Sequence, residues 1–254
     1  MPELPEVEIM CRNLTHWTEN KKFTSIDGLK DAASILQKKI GACYRRGKYC
    51  ILPVGEYFVV IHFRMTGKIV RLDTPRKFVR MCFFLDDGQQ IALLDQRRFA
   101  TVDILTKQEY LERMEAIGDE IWPKNHSGEW FAEKFSSSHA RVKSLLLRQD
   151  IIAGIGNIMA SEICFRMRCD PKKLANCVTT EQWGRMNDAI HDFVHAVLDE
   201  ESGPEILFVS QGAPLPKSFL VYGRAGQACV YCQKPILHFT MNGRSTYACG
   251  ACQD

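Results

Sequence analysis

The sequence predicts a multidomain α+β protein: a helix, then a β-rich half, then a helical half, and finally a small cysteine-rich tail. Three observations predict it. Val7, Met10, Leu14 and Trp17 recur at helical spacing near the start. Six short runs rich in β-branched and aromatic residues then follow one another up to residue 105. Beyond Trp122-Pro123 the apolar spacing turns helical, and four of the eleven cysteines close the chain as two Cys-x2-Cys pairs.

Each element has a local reason. Residues 5–18 read as a helix, with Pro5 in the first turn, where its missing N–H costs nothing. The runs KYCILPV, EYFVVIHF, KIVRL, FVRMCFFL, QQIALL and FATVDIL are separated by turn signals at Gly55, Gly67 and Asp87-Gly88. That many strands in so short a stretch argue for a sandwich or barrel. In the helical half, ARVKSLLLRQD and NIMASEICFRMR read as helices joined by the turn IIAGIG. Residues 179–200 read as one longer helix, with Thr179 and Gln182 spaced as a capping box. Residues 202–220, rich in glycine and proline, read as a loop.

Composition narrows the class. The 254 residues suffice for one large domain or two modest ones, and no apolar run is long enough to span a membrane. The first residues lack the basic start and apolar centre of an export signal. Net charge is only +3, so an acidic partner does not follow from charge alone, although Arg45-Arg46-Gly47-Lys48, Arg97-Arg98 and Lys172-Lys173 cluster. Seven cysteines (Cys11, Cys43, Cys50, Cys82, Cys164, Cys169 and Cys177) are scattered and odd in number. They fit a reducing cytoplasm better than a disulfide framework.

Three motifs carry chemistry. Cys229-x2-Cys232, sixteen residues, then Cys249-x2-Cys252 is a four-thiolate zinc pattern. Four protein thiolates leave no position for water, so the metal is expected to be structural and to supply the folding energy of a tail too short for its own core. In AGIGNIMASE, Gly154 and Gly156 permit a tight turn, and Asn157 opens a helix whose free N–H groups can hold a phosphate. The third glycine of a dinucleotide fingerprint is missing, since Met159 stands there, so no nucleotide cofactor is expected. The same stretch also reads as a plain turn between packed helices. At the start, MPELPEVE places proline at position 2, which invites removal of Met1 and exposure of a secondary amine. An α-amine has a reference pKa of about 7.7–8.0, so a useful fraction is neutral and nucleophilic at physiological pH. Glu3 and Glu6 lie within reach for proton transfer. The alternative is that Pro2 and Pro5 only shape the start of a helix.

Taken in order, MPELPEVE, RRGKY, IHFRMTG, DQRRF, GIGNIMASE, VYGR and GRSTYACGACQ resemble the formamidopyrimidine-DNA glycosylase / endonuclease VIII family over nearly the whole chain. The resemblance implies an N-terminal β-sandwich with flanking helices (1–124), a helix–two-turn–helix domain (125–222) and a zinc finger (223–254). It implies removal of an oxidised base followed by strand nicking. Pro2 would attack the sugar C1′ of a flipped-out nucleotide, and Glu3 would help open the sugar ring. Glu6 and Glu162 match family carboxylates, Glu162 either near the reacting centre or holding domains together. Lys48 matches the lysine that grips phosphate beside the lesion. Lys143, Asn157 and Arg244 match further phosphate contacts. Met65, Arg97 and Phe99 match the residues that fill the gap left by the flipped base. The implied partner is damaged double-stranded DNA, met by a cytoplasmic monomer with one structural zinc, no other cofactor and no membrane. Two stretches depart from the family. Residues 201–219 read ESGPEILFVSQGAPLPKSF where a Gly-Gly-Thr-Thr type stretch is usual, and Lys77-Phe78-Val79-Arg80 lacks the histidines of Lys-His-x-His. The trio of gap-filling residues looks like the formamidopyrimidine branch, which points to oxidised purines rather than pyrimidines. A catalytically silent DNA-binding homologue is the rival reading.

Overall fold

A computed structural model describes residues 2–200, 203, 205, 206 and 214–254. Met1 and most of the loop at 201–213 lie outside the described residues. The chain divides into two compact units, one made of residues 1–116 and 201–213, the other of 117–200 and 214–254.

The first unit opens with α1 (Leu4–Thr18). Helix formation starts here because Glu6 folds back, its Oε2 accepting from the Glu3 N–H at 2.9 Å. The strands are β1 (Phe23–Asp27), β2 (Tyr44–Arg46), β3 (Tyr49–Val54), β4 (Tyr57–His62), β5 (Lys68–Arg71), β6 (Val79–Leu85), β7 (Gln90–Leu94) and β8 (Thr101–Leu105), followed by α2 (Lys107–Glu115). They form two antiparallel four-stranded sheets, β1-β6-β7-β5 and β2-β3-β4-β8. The expected sandwich is therefore present. Leu52, Val59 and Ile61 of one sheet and Phe23, Ile69, Phe83 and Ile91 of the other line a single small interior space, which Leu14 and Thr18 of α1 help to enclose. Burial of these apolar faces is the main stabilising term, roughly 2 kcal/mol for each large side chain removed from water. β1, β2 and α2 fall outside the stretches expected as strands or helices from the residue pattern.

The second unit contains β9 (Asp119–Glu120), α3 (Gly128–Phe135), α4 (Val142–Leu146), β10 (Ile152–Ala153), α5 (Asn157–Arg166), α6 (Thr180–Gly184), α7 (Met186–Glu200), β11 (Leu237–Met241) and β12 (Arg244–Ala248). Two expectations need correction. The helix read over ARVKSLLLRQD is only the short α4, because the chain turns at Arg148 to pair β10 with β9 in parallel. The helix read over 179–200 is two helices, α6 and α7, meeting at Arg185. Thr179 caps α6 through the expected box, its side chain accepting from Gln182 N at 3.1 Å. The break follows Gly184, a poor helix former, where α3 crosses at close range. A Cβ on Gly128 would lie 2.6 Å from the Gly184 Cα, so the crossing needs glycine at position 128. The tail is a β-hairpin, β11-β12, and buried Cys229, Ile236 and Cys249 pack with Phe165 and Val221 in one apolar cluster. Among the described residues no helix is long and apolar enough to cross a membrane.

The crossing yields a paired test. Gly128→Ala is expected to lower unfolding free energy by about 1–3 kcal/mol through overpacking. Gly184→Ala, whose added Cβ meets nothing within 4 Å, is expected to be neutral or to stabilise by about 0.5–1 kcal/mol. Urea denaturation of the two variants measures the contrast.

Candidate active site and nucleic-acid interface

In the first unit, Pro2 is buried and directly precedes Glu3, the N-cap of α1, which is only 2 % exposed. Glu6, one turn in, is nearly as buried. Its carboxyl is pushed up to about 7, by burial first and then by the neighbouring Glu3 charge. A carboxyl of that strength exchanges protons readily at physiological pH. Lys48 is half-buried in the turn between β2 and β3, where Gly47 takes a left-handed conformation (φ +57°). Arg45 ties that turn to α1: its guanidinium meets Glu8 at 3.4 Å and donates to the Gly47 carbonyl at 2.9 Å. Beside it, His62 stacks edge-on to Tyr49 with ring centroids 4.7 Å apart. Burial, then the positive charges of Arg64 and Lys48, push His62 down to about 4, so it is neutral and its Nδ1 accepts from Arg64 N.

Met65, Arg97 and Phe99 come together on the surface of the same unit. Met65 is 41 % exposed and Phe99 52 %. The Arg97 guanidinium donates to the Met65 Sδ at 3.0 Å and lies 4.7 Å from the Phe99 ring centre. Two loops carry these residues, and one buried carboxylate binds both. Asp95 Oδ1 accepts from Thr66 Oγ1 (2.6 Å) and from Arg97 N (3.2 Å), and Oδ2 accepts from Ala100 N (2.7 Å). Arg80 completes the cluster, 3.6 Å from Asp95 Oδ2 and donating to the Ala100 carbonyl. Arg80 ends the Lys77–Arg80 stretch and supplies a cation to Asp95.

In the second unit, Lys143, Asn157 and the β11-β12 hairpin are joined. Lys143 is 1 % exposed, and its ammonium donates to Asn157 Oδ1 (2.8 Å), Thr246 Oγ1 (2.8 Å) and the Ser245 carbonyl (3.0 Å). Asn157 Nδ2 donates to the same carbonyl at 2.9 Å. Asn157 is the first residue of α5, where backbone N–H groups are unpaired by the helix itself. Arg244 is exposed at the start of β12, next in sequence to Ser245. Glu162 is fully buried, and its carboxylate accepts from Leu220, Val221 and Tyr222 N–H groups (3.0, 2.9 and 2.9 Å) and from Arg166 (2.7 Å). That arrangement fastens α5 to the segment leading into the tail. The sulfurs of Cys229, Cys232, Cys249 and Cys252 all lie within 4.8 Å of one another, a donor set consistent with a structural metal site.

Asp95 and Arg45 were not singled out from sequence. Asp95 sits in DQRRF directly after an apolar strand, and a carboxylate at a strand's buried end is a usable signal for a loop anchor. Arg45 carried no such signal, because one arginine of a basic run looks like any other.

Residues 1–102 match the Formamidopyrimidine-DNA glycosylase N-terminal domain, and residues 117–206 match the Formamidopyrimidine-DNA glycosylase H2TH domain. The formamidopyrimidine-DNA glycosylase of Desulforamulus reducens is 31 % identical, over 100 % of this chain and 99 % of that protein. Among solved structures, MutM in complex with DNA containing carbocyclic 8-oxo-G superposes with a TM-score of 0.86 at 28 % identity, covering 100 % of both chains. Lactococcus lactis Fpg in complex with DNA containing an abasic site gives 0.88 at 26 % identity, again over 100 % of both chains. A sandwich unit with a helical unit and a four-cysteine tail, aligned end to end with such proteins, defines a DNA glycosylase of base excision repair. The chain belongs to the formamidopyrimidine-DNA glycosylase family.

Two outcomes follow from this geometry. Below about pH 4 Glu6 is protonated both folded and unfolded, so it carries no penalty. As pH rises towards its folded value of about 7, ionising it in place costs stability, and the loss is complete above that value. Stability is therefore expected to fall between pH 5 and 8, and Glu6→Gln to flatten the fall, gaining about 3 kcal/mol at pH 8 in urea unfolding. Asp95→Asn is expected to cost about 2–3 kcal/mol by losing charged acceptors. It should also speed hydrogen exchange at the Arg97 and Ala100 amides.

Proposed function

We propose that this chain is a bifunctional DNA glycosylase and AP lyase that removes oxidised purines, 8-oxoguanine and formamidopyrimidines among them, from double-stranded DNA. The observation that carries this reading is the start of α1, where Pro2 and Glu3 are buried together with Glu6 folded back beneath them. With Met1 removed, the neutral Pro2 amine attacks the sugar C1′, the glycosidic bond breaks, and the base leaves with a proton. Glu3 supplies the proton that opens the sugar ring, and Glu6 exchanges protons beside it. The resulting iminium acts as an electron sink. It acidifies the adjacent sugar protons, so elimination expels the 3′ phosphate and then the 5′ phosphate.

The remaining roles follow from chemistry and placement. Lys48 offers a cation to the phosphate beside the lesion. Met65 and Phe99 enter the stack where the base has left, and Arg97 hydrogen-bonds the orphaned partner. Arg244 and the N-terminus of α5 at Asn157 hold phosphates. Lys143 has its ammonium hydrogens engaged by Asn157, Ser245 and Thr246, so it serves phosphate binding by fixing Asn157 against the hairpin. Glu162 acts in the same indirect way on α5. One structural zinc on Cys229, Cys232, Cys249 and Cys252 holds the hairpin, with no water position for chemistry. The purine preference is supported by the Met65-Arg97-Phe99 trio.

Borohydride trapping on an abasic-site duplex tests the reading. A Met1-free preparation is expected to form a covalent adduct, and Glu3→Gln to slow base excision by about 10²–10⁴-fold. Absence of any adduct from the Met1-free protein would overturn the enzyme reading in favour of a silent DNA-binding homologue. Faster release of oxidised pyrimidines than of 8-oxoguanine would overturn the substrate assignment.

A further inference from the structure

Among the described residues, two groups of metal-ligating side chains converge closely, and the second is not in the tail. It consists of Cys11, Cys43 and Cys50, whose sulfurs lie within 4.8 Å of one another. These residues are far apart in sequence and come from three places: Cys11 from α1, Cys43 from the residue before β2, and Cys50 from β3. The Cys43 and Cys50 sulfurs are in direct contact, 3.1 Å apart. Cys11 is 2 % exposed and Cys50 fully buried, while Cys43 is half-buried and offers a way in from solvent.

The arrangement is held from outside the sulfurs. Thr15 lies one helical turn beyond Cys11, and its hydroxyl both donates to the Cys43 carbonyl (3.1 Å) and accepts from the Cys43 N–H (2.9 Å). The backbone carrying Cys43 is thereby locked to α1. In the β2-β3 ladder Arg45 faces Cys50, which puts Arg45 and Cys43 on the same face of the hairpin. Convergence of three sulfurs with backbone support is the geometry of a ligand set.

We propose that Cys11, Cys43 and Cys50 form a trigonal thiolate site for one soft monovalent cation, with Cu(I) as the ion of that class. The donor set selects it. Thiolates favour Cu(I), zinc and iron–sulfur clusters. Zinc in a structural site takes four ligands, and here the neighbouring carboxylate of Glu8 is engaged by Arg12 (2.9 Å) and Arg45 (3.4 Å). Cu(I) is satisfied by three sulfurs. Binding forms three Cu–S bonds, releases to solvent the protons still held by the thiols and changes no oxidation state. Cu(I) neutralises one of the three thiolates, and the Arg45 guanidinium, shared with Glu8 at 3.4 Å and 3 % exposed, offsets part of the remaining charge.

The test is an anaerobic Cu(I) titration of the full chain, loaded with zinc, against a chromophoric Cu(I) chelator. The wild-type chain is expected to retain one Cu(I) with no release of zinc, and X-ray absorption should show three sulfur neighbours. Cys43→Ser and Cys11→Ala, checked for unchanged zinc content and thermal unfolding, are expected to bind copper more than about a hundredfold more weakly, beyond the effect of losing an outer partner of a ligand. Copper taken up only as zinc is released, two sulfur neighbours instead of three, or wild-type affinity in both variants would each overturn the proposal. These readouts do not involve base excision, so the site stands or falls separately from the enzyme reading.

Discussion

Glu162 has no contact with solvent, and four donors surround its carboxylate. The same constraint recurs at each important point of the protein: a charge leaves water only when its partners are already in place. Lys143 meets it with three acceptors, and Asp95 with donors from two loops. Such clusters add little net stability compared with apolar packing. What they fix is geometry. A carboxylate that must receive three successive backbone N–H groups at 220–222 admits one path for that segment and no neighbouring register.

This explains why the groups proposed to meet DNA are weakly held while the backbone beneath them is anchored. Arg97 rests on a thioether and an aromatic face, contacts of roughly 0.5–1 kcal/mol each. A base edge offers better hydrogen bonds, so the guanidinium can change partners at small cost. The loop beneath it cannot, because Asp95 holds its backbone. Weakly held tips on anchored loops suit the proposed contact with a distorted duplex.

The large elements could be read from residue patterns because apolar periodicity reports burial directly. Val7, Met10, Leu14 and Trp17 marked α1, and the cysteine spacing marked the tail. The β-branched runs marked six of the eight sandwich strands' worth of chain, while β1 and the short β2 lacked a long apolar run. The break at Arg185 was hidden, since Gly184 alone does not reveal that α3 crosses there. In the site, Met65 and Phe99 looked like core residues, and only the family resemblance suggested that they face DNA. The internal pairing of Lys143 was not readable at all, because its partners Ser245 and Thr246 come from the far end of the chain. Cys11, Cys43 and Cys50 likewise carry no spacing signal, as three separate elements bring them together.

The first unit is not continuous in sequence, and this has a consequence for the order in which the chain is made. Lys68 is nearly buried in β5, yet its ammonium donates to Glu205 (2.7 Å) and to the Ile206 carbonyl (3.3 Å). Synthesis from the N-terminus delivers every strand of the sandwich before residue 205 exists. Until the helical stretch 117–200 has been made, the sandwich holds a lysine without its carboxylate. Its final consolidation therefore waits on a segment more than half a chain away, and the sandwich reaches its full stability only after the intervening unit has been made.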